Sequence, residues 1–296
     1  MDKILDFLKK NFNEDILELK AIDEGERSKA FLFISRDKKY VFRINSHEMG
    51  FLKDQYAYKN FGEKVAIPEI IKIGKYKRRF FAISEYCEGI TLSNNDLDFS
   101  NDLVESLIKT LNRIHSIKNS NKYGVADVGG NTEYKSWREW VLKDTASVTK
   151  NDGTFYTWDE IKKISFVDKS LIDNLIQSID SLSLLVPNIS SLIHGDFATG
   201  NVMIKNNQVT GVIDWNEFGY GDFLYDVAWL DFWIPKLNFV GKYLEYSQSK
   251  GKNIPDYFKR IKCHQAFIGL TALGLYATIG LKDTYNKIAK IIYTSQ

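Results

Sequence analysis

The stretch SSLIHGDFATGNVMIKNNQVTGVIDW, Ser190–Trp215, decides how the chain reads. A short apolar run, Leu192-Ile193, stops at His194-Gly195-Asp196, and Asn201 follows five residues after the aspartate. Residues 202–204 and 209–213 read as two short strands about a polar Asn-Asn-Gln turn, and the second strand ends at Asp214. Three side chains able to bind protons or hard cations therefore stand at the ends of short strands. A β framework holds such ends close together.

That arrangement suits phosphoryl transfer, whose transition state needs positioning and charge neutralisation more than covalent chemistry from the protein. Asp196 is the candidate catalytic residue, taking the proton of an acceptor hydroxyl. Asn201 and Asp214 are the candidate metal ligands, offering oxygen to Mg²⁺ that bridges nucleotide phosphates. The spacing H-x-D-x4-N, followed by an aspartate at a strand end, is the kinase catalytic-loop pattern. A β-hairpin with polar turn residues is the bland reading, and it leaves the spacing unexplained.

Working outward, residues 2–11 carry an amphipathic helical pattern with Ile4, Leu5 and Leu8 on one side. Runs at 16–22, 30–35 and 40–45 read as strands. The first two flank Asp23-Glu24-Gly25-Glu26-Arg27-Ser28, a single-glycine loop that can offer backbone N–H groups to phosphates, with Ser28 at its end. A plain hairpin turn is the competing reading. Arg43 interrupts the apolar third strand. It is either an arm for the nucleotide phosphates or an outward charge on the alternate face. Asp54, early in a helix expected at 51–62, is its candidate partner.

Ile67-Pro68-Glu69 breaks that helix ahead of a hairpin at 70–74 and 79–85. Its cluster of Lys72, Lys75, Lys77, Arg78 and Arg79 lacks interleaved aromatics and reads as a solvated turn, so no nucleic-acid partner is expected. At 85–89 strand character fades, as in a connector between lobes. There the Glu85 carbonyl and the Cys87 N–H are placed to meet an adenine edge. From Asn101 the period turns helical, with Leu103, Leu107, Leu111 and Ile114 leading to His115, which reads as a packed helix-end residue. After a polar loop at 118–132, helices are expected at 134–145, 169–184, 227–233, 236–250, 256–279 and 284–294, with residues 155–158 ambiguous.

The 296 residues suffice for one large or two modest domains. With 44% hydrophobic and 26% charged residues the composition is globular, and a net charge of +2 makes no case for a polyanionic partner. Two cysteines, Cys87 and Cys263, imply a reducing compartment without a disulfide framework. The charged N-terminal residues do not form a signal peptide, and no run reaches membrane-span length, so a cytoplasmic monomer without membrane contact is expected.

These residues carry a resemblance to the aminoglycoside phosphotransferase family of kinase-like enzymes. It is densest at residues 24–33, 40–46, 67–69 and 88–92, and through the core segment to Trp233. The resemblance implies an α+β, protein-kinase-like two-lobe fold. A β-rich, nucleotide-binding N-lobe spans residues 1–87. A mainly helical C-lobe spans 88–296 and carries a small catalytic β-hairpin and the acceptor site. It implies ATP as phosphate donor, GTP not excluded, with Mg²⁺. It matches Asp196 to the catalytic aspartate, Asn201 and Asp214 to the metal ligands, Arg43 to the phosphate-contacting position and Asp54 to its acidic partner. Asp222 and Asp226 match a carboxylate pair after the metal aspartate, with Asp226 expected to buttress the catalytic loop.

The implied acceptor is a cationic amino sugar, an aminoglycoside or aminocyclitol antibiotic, with hygromycin B first. Six acidic residues and one basic residue between His194 and Asp231 would attract such a cation. Trp215, Trp229 and Trp233 offer faces for sugar rings or, equally, core packing. Two alternatives stay open. One is a kinase of the same fold acting on choline, homoserine, methylthioribose or another sugar. The other is a non-catalytic nucleotide-binding protein.

Overall fold

The computed structural model describes residues 1–12, 15–25, 28–93, 98–119, 121–149 and 153–294. Contacts divide the chain into two compact units. One comprises Met1–Arg113, Asp127–Gly130 and Gly200–Glu217; the other comprises Ile114–Ala126, Asn131–Thr199 and Phe218–Gln296. The class is α+β, with an antiparallel sheet at the N-terminus and a helical C-terminal region.

In the first unit, helix α1 (Asp2–Asn11) precedes strands β1 (Ile16–Gly25), β2 (Ser28–Ser35) and β3 (Lys38–Asn45). Helix α2 (Met49–Phe61) and strands β4 (Ile70–Tyr76) and β5 (Arg79–Glu85) follow. The five strands are antiparallel in the order β1-β2-β3-β5-β4. Alternation along β3 separates its side chains. Phe42 and Ile44 join Leu8, Phe31, Phe33, Phe81 and Ile83 in a core that packs on α1. Ala82 of β5, opposite Arg43 in the ladder, packs instead with Phe51 of α2. Arg43 is thereby sent to the α2 face.

A second sheet holds β6 (Ile90–Thr91), β11 (Val202–Lys205) and β12 (Gln208–Val212) in the order β12-β11-β6. Asn206 and Asn207, with φ of 52° and 58°, form the two-residue turn whose twist matches the flanking strands. The expected hairpin thus gains a third strand too short to show a period. β12 ends at Val212, one residue short of the expected strand, and the Ile213 N–H still donates to the Asn201 carbonyl at 2.9 Å, the next position along the β11–β12 register.

In the second unit, β10 (Ser191–Ile193), β13 (Gly219–Gly221) and β7 (Gly124–Val125) form a small sheet in the order β10-β13-β7. β7 falls inside the segment read as a polar loop. Helix α3 (Asn101–His115) runs into this unit at its C-terminal end. Helix α4 (Trp137–Asp144) starts three residues later than expected, because Ser136 caps it by accepting from the Glu139 N–H. A hairpin of β8 (Ser147–Thr149) and β9 (Phe155–Thr157) resolves the ambiguous region. It is followed by one helical turn, α5 (Trp158–Ile161), fixed by a Thr157/Glu160 capping box.

Helices α6 (Lys169–Leu182), α7 (Leu224–Trp233), α8 (Phe239–Ser249), α9 (Tyr257–Thr278) and α10 (Lys282–Thr294) complete the unit. Asn238, with φ of 48°, separates α8 from a 3-10 turn at Pro235–Leu237, which splits the helix expected at 236–250. Helix α9 is apolar around much of its circumference and packs against α6, α7 and α10, as a central helix must.

Candidate active site

In the second unit, β10 ends at Ile193 and the chain turns through His194-Gly195-Asp196. Gly195 takes φ of 82°, a left-handed conformation that only glycine adopts without strain. The turn is held from below by Asp226, in the first turn of α7. Asp226 Oδ2 accepts from the His194 N–H and Oδ1 from the Gly195 N–H, both at 2.9 Å. His115 Nε2 lies within hydrogen-bond distance of the same Oδ2, at 2.9 Å. Asp226 is fully buried, and these three contacts are what satisfy its oxygens there. His115, read from the sequence only as a packed helix end, is therefore part of the loop support. Nothing local in the sequence signals that, because its partner lies 111 residues away.

Asp196 itself is partly exposed. Its N–H donates to His194 Nδ1 at 3.2 Å, and its carbonyl accepts from the Ala198 N–H at 2.9 Å. Its Oδ1 accepts from Trp229 Nε1 at 3.0 Å. Asp222 has a different environment. It is fully buried and ion-paired to Arg260, and His264 Nε2 lies 2.9 Å from its Oδ2. Burial alone would raise this carboxyl, but the hydrogen bonds and charges of His264 and Arg260 outweigh it and hold it at about 2. Asp222 also accepts from the Leu224 N–H, and so ties the start of α7 to α9.

In the first unit, Arg43 Nη2 and Asp54 Oδ2 are 2.5 Å apart, and the guanidinium lies over the Phe51 ring at 5.2 Å. Asp54 Oδ1 accepts from the Trp215 N–H at 2.8 Å. Burial and the negative charge of Asp214 push the Asp54 carboxyl up, while Arg43 and the Trp215 N–H oppose them. Burial lowers the tendency of Arg43 to stay charged, but Asp54 and Asp214 more than restore it. Lys53 Nζ donates to the Asn216 carbonyl at 2.6 Å, so two adjacent side chains of α2 grip the segment after Asp214. Sequence reading found Asp54 and missed Lys53, whose partner is a backbone carbonyl and leaves no residue-type signal.

Asp214 is exposed, with φ of 60°. Asn201 is tied to the residue before it through the Ile213 N–H. The two oxygen-bearing side chains therefore start from hydrogen-bonded backbone next to an arginine suited to phosphate. This donor set fits a hard cation that takes its other ligands from phosphate and water. Among the described residues no group of three or more His, Cys, Asp or Glu is arranged to hold a metal by itself. Glu85 closes β5 opposite Tyr40, and Cys87 packs beside Gly211. Burial and Glu85 push the Cys87 thiol up to about 11, which makes it an apolar contact rather than a nucleophile. The Ser28 side chain, with Glu26 and Arg27 of the glycine loop, lies outside the described residues.

Of the six carboxylates between His194 and Asp231, five accept internal hydrogen bonds: Asp196 from Trp229, Glu217 from Asn216, and Asp222, Asp226 and Asp231 as well. Asp222 and Asp226 are buried, and Asp231 accepts from the Val240 N–H and Gln265. The charge argument for a cationic acceptor is correspondingly weaker than the sequence count suggests. Trp215 is fully buried, whereas Trp229 and Trp233 are half-buried neighbours with ring centroids 6.0 Å apart.

With this geometry in hand, residues 18–249 match the Phosphotransferase enzyme family (APH). The chain belongs to that family. It is 28% identical over 267 residues to the hygromycin-B 4-O-kinase of Escherichia coli, covering 88% of this chain and 75% of the relative. It resembles the crystal structure of aminoglycoside phosphotransferase APH(4)-Ia, at 26% identity and a TM-score of 0.78 over 99% of this chain and 97% of the other. The same scores hold for a thermostable mutant of that enzyme in ternary complex with AMP-PNP and hygromycin B. A spectinomycin phosphotransferase, at 14% identity and a TM-score of 0.64, shares the fold. The family membership and these similarities establish a kinase-like aminoglycoside phosphotransferase fold.

Proposed function

We propose that this family member transfers the γ-phosphate of ATP to a hydroxyl of an aminoglycoside or aminocyclitol, with hygromycin B the first acceptor to test. The observation that carries the reading is the His194-Gly195-Asp196 turn. Asp226 fixes its backbone through two N–H groups and leaves the Asp196 side chain partly exposed. The relative named as a hygromycin-B 4-O-kinase, and the complex containing AMP-PNP and hygromycin B, support the choice of donor and acceptor.

Asp196 accepts the proton of the acceptor hydroxyl and orients its oxygen for attack on phosphorus. Arg43, kept charged and aimed by Asp54, binds phosphate oxygens with its planar fork. Asn201 and Asp214 would hold Mg²⁺, which would supply charge neutralisation at the phosphates. The Glu85 carbonyl and Cys87 N–H would meet the adenine edge, with residues 1–87 as the nucleotide-binding lobe and residues 88–296 as the acceptor-binding lobe. A cytoplasmic location and a monomeric state accompany this reading; two free thiols, Cys87 and Cys263, bear on the first by fitting a reducing compartment. Among the described residues no helix is long and apolar enough to cross a membrane.

Because five of the six carboxylates between His194 and Asp231 accept internal hydrogen bonds, an uncharged or monocationic metabolite alcohol is retained as the second acceptor class. A coupled ATP-consumption assay with Mg²⁺ tests both. Hygromycin B, other aminoglycosides and small metabolite alcohols are supplied in turn. Saturable turnover with an amino sugar is expected, and Asp196→Ala should abolish it while nucleotide binding persists. Near-native turnover in that variant would sink the role of Asp196. Turnover only with a metabolite would overturn the acceptor assignment.

A further inference from the structure

We infer that Trp229 is a positioning residue for the catalytic aspartate, holding one carboxylate oxygen of Asp196 so that the other is presented to the acceptor hydroxyl. The inference rests on the role proposed above for Asp196. The contact that carries it is the Trp229 Nε1 to Asp196 Oδ1 hydrogen bond of 3.0 Å.

An aspartate side chain has two rotatable bonds, and a partly exposed one has no reason to keep one orientation unless something holds it. The indole N–H is a donor with no acceptor capacity. It can therefore hold the carboxylate without competing for the proton that Asp196 takes from the acceptor. A serine, histidine or water in its place could exchange protons with the carboxylate; an indole cannot. Trp229 also has few degrees of freedom to lose. Its ring is fixed on α7 between Tyr225, with centroids 5.7 Å apart, and Trp233 at 6.0 Å.

The placement on α7 adds a second argument. Asp226 and Trp229 are three residues apart on that helix, so their side chains share a face. Asp226 holds the backbone of the catalytic turn at His194 and Gly195, and Trp229 holds the side chain that follows. One helical turn thus fixes the loop at two points, one on its main chain and one on its reacting group. The fully buried α7 core residues Val227, Ala228 and Leu230 keep that face from rotating. Small errors in the position of a reacting oxygen are costly to rate.

Trp229→Phe tests the inference, since it keeps the ring and removes only the donor. In the full-length protein we expect kcat to fall roughly ten-fold or more, with KM for MgATP and for the acceptor staying within about two-fold. The melting temperature should stay close to that of the unsubstituted protein. An unchanged kcat overturns the inference. So does a loss that appears in KM or in melting temperature instead, because either marks Trp229 as a binding or packing residue.

A second measurement does not depend on any acceptor. The indole N–H resonance of Trp229, identified by its disappearance in Trp229→Phe, should move upfield and exchange faster with solvent in Asp196→Ala. An unmoved resonance overturns the hydrogen bond itself. If the protein turns over no amino sugar, the proposed acceptor falls, while the resonance and the kcat measured with whichever alcohol is phosphorylated still decide the role of Trp229.

Discussion

Asp222 and Asp226 sit four residues apart on the same stretch of chain, yet their partners give them different work. Asp226 accepts two backbone N–H groups of the His194-Gly195-Asp196 turn and meets His115 beneath it; Asp222 binds Arg260 and His264 of α9. Removing the Asp222 charge leaves Arg260, also buried, without its counterion. Asp222→Asn should therefore cost about 3 kcal/mol of stability, read as a lower urea midpoint. The folded carboxyl lies at about 2, below the usual carboxylate range near 3.9, so the folded state favours the ionised form. This contribution, roughly 2 kcal/mol, is complete above about pH 4 and disappears as the pH falls toward 2. The acid limb of the stability profile should be shallower in Asp222→Asn; an identical limb would show that the pair does not drive it. In the sequence both residues are legible as acids after a strand-end aspartate. Their division of labour is not, since Arg260 and His264 enter from a helix about forty residues later.

At the scale of elements, the helices and longer strands follow from local pattern, and the three-stranded sheets do not. β6, β7 and β13 are two or three residues long and exist because a partner strand lies beside them. β13 is a useful case. A Cβ built on Gly221 would lie 1.9 Å from Cε3 of Trp137, whose buried ring also meets Trp140, Tyr225 and His264. The β10-β13-β7 sheet can approach α4 only because that position is glycine. Gly221→Ala should push the strand off the ring and destabilise the protein by about 2 kcal/mol or more, seen as a lower melting temperature. A neutral effect would mean that Trp137 has room to move. Glycine at a strand position reads from sequence as a break or a turn. Its real reason here is an indole more than eighty residues earlier.

For the whole molecule, the testable consequence of the proposed chemistry is linkage between nucleotide and folding. A ligand that binds only the folded chain stabilises it by about 2.7 kcal/mol at a hundred times its dissociation constant. MgATP should therefore raise the melting temperature. The shift should shrink in Asp214→Ala if that residue holds the metal, and an undiminished shift would remove it from that role. The sequence by itself determined the phosphotransferase class, because the strand-end motif from His194 to Asp214 places its chemical groups through local backbone. It also offered Asp54 as a partner for Arg43, but strand alternation left an outward-facing Arg43 equally open until the structure paired the two. Only the tertiary structure decided which carboxylates were engaged internally, that His115 supports the catalytic turn and that Trp229 holds Asp196. Those outcomes depend on burial and on partners from distant parts of the chain. Periodicity describes the face of an element, but hydrogen-bond satisfaction between elements is settled only when those faces meet.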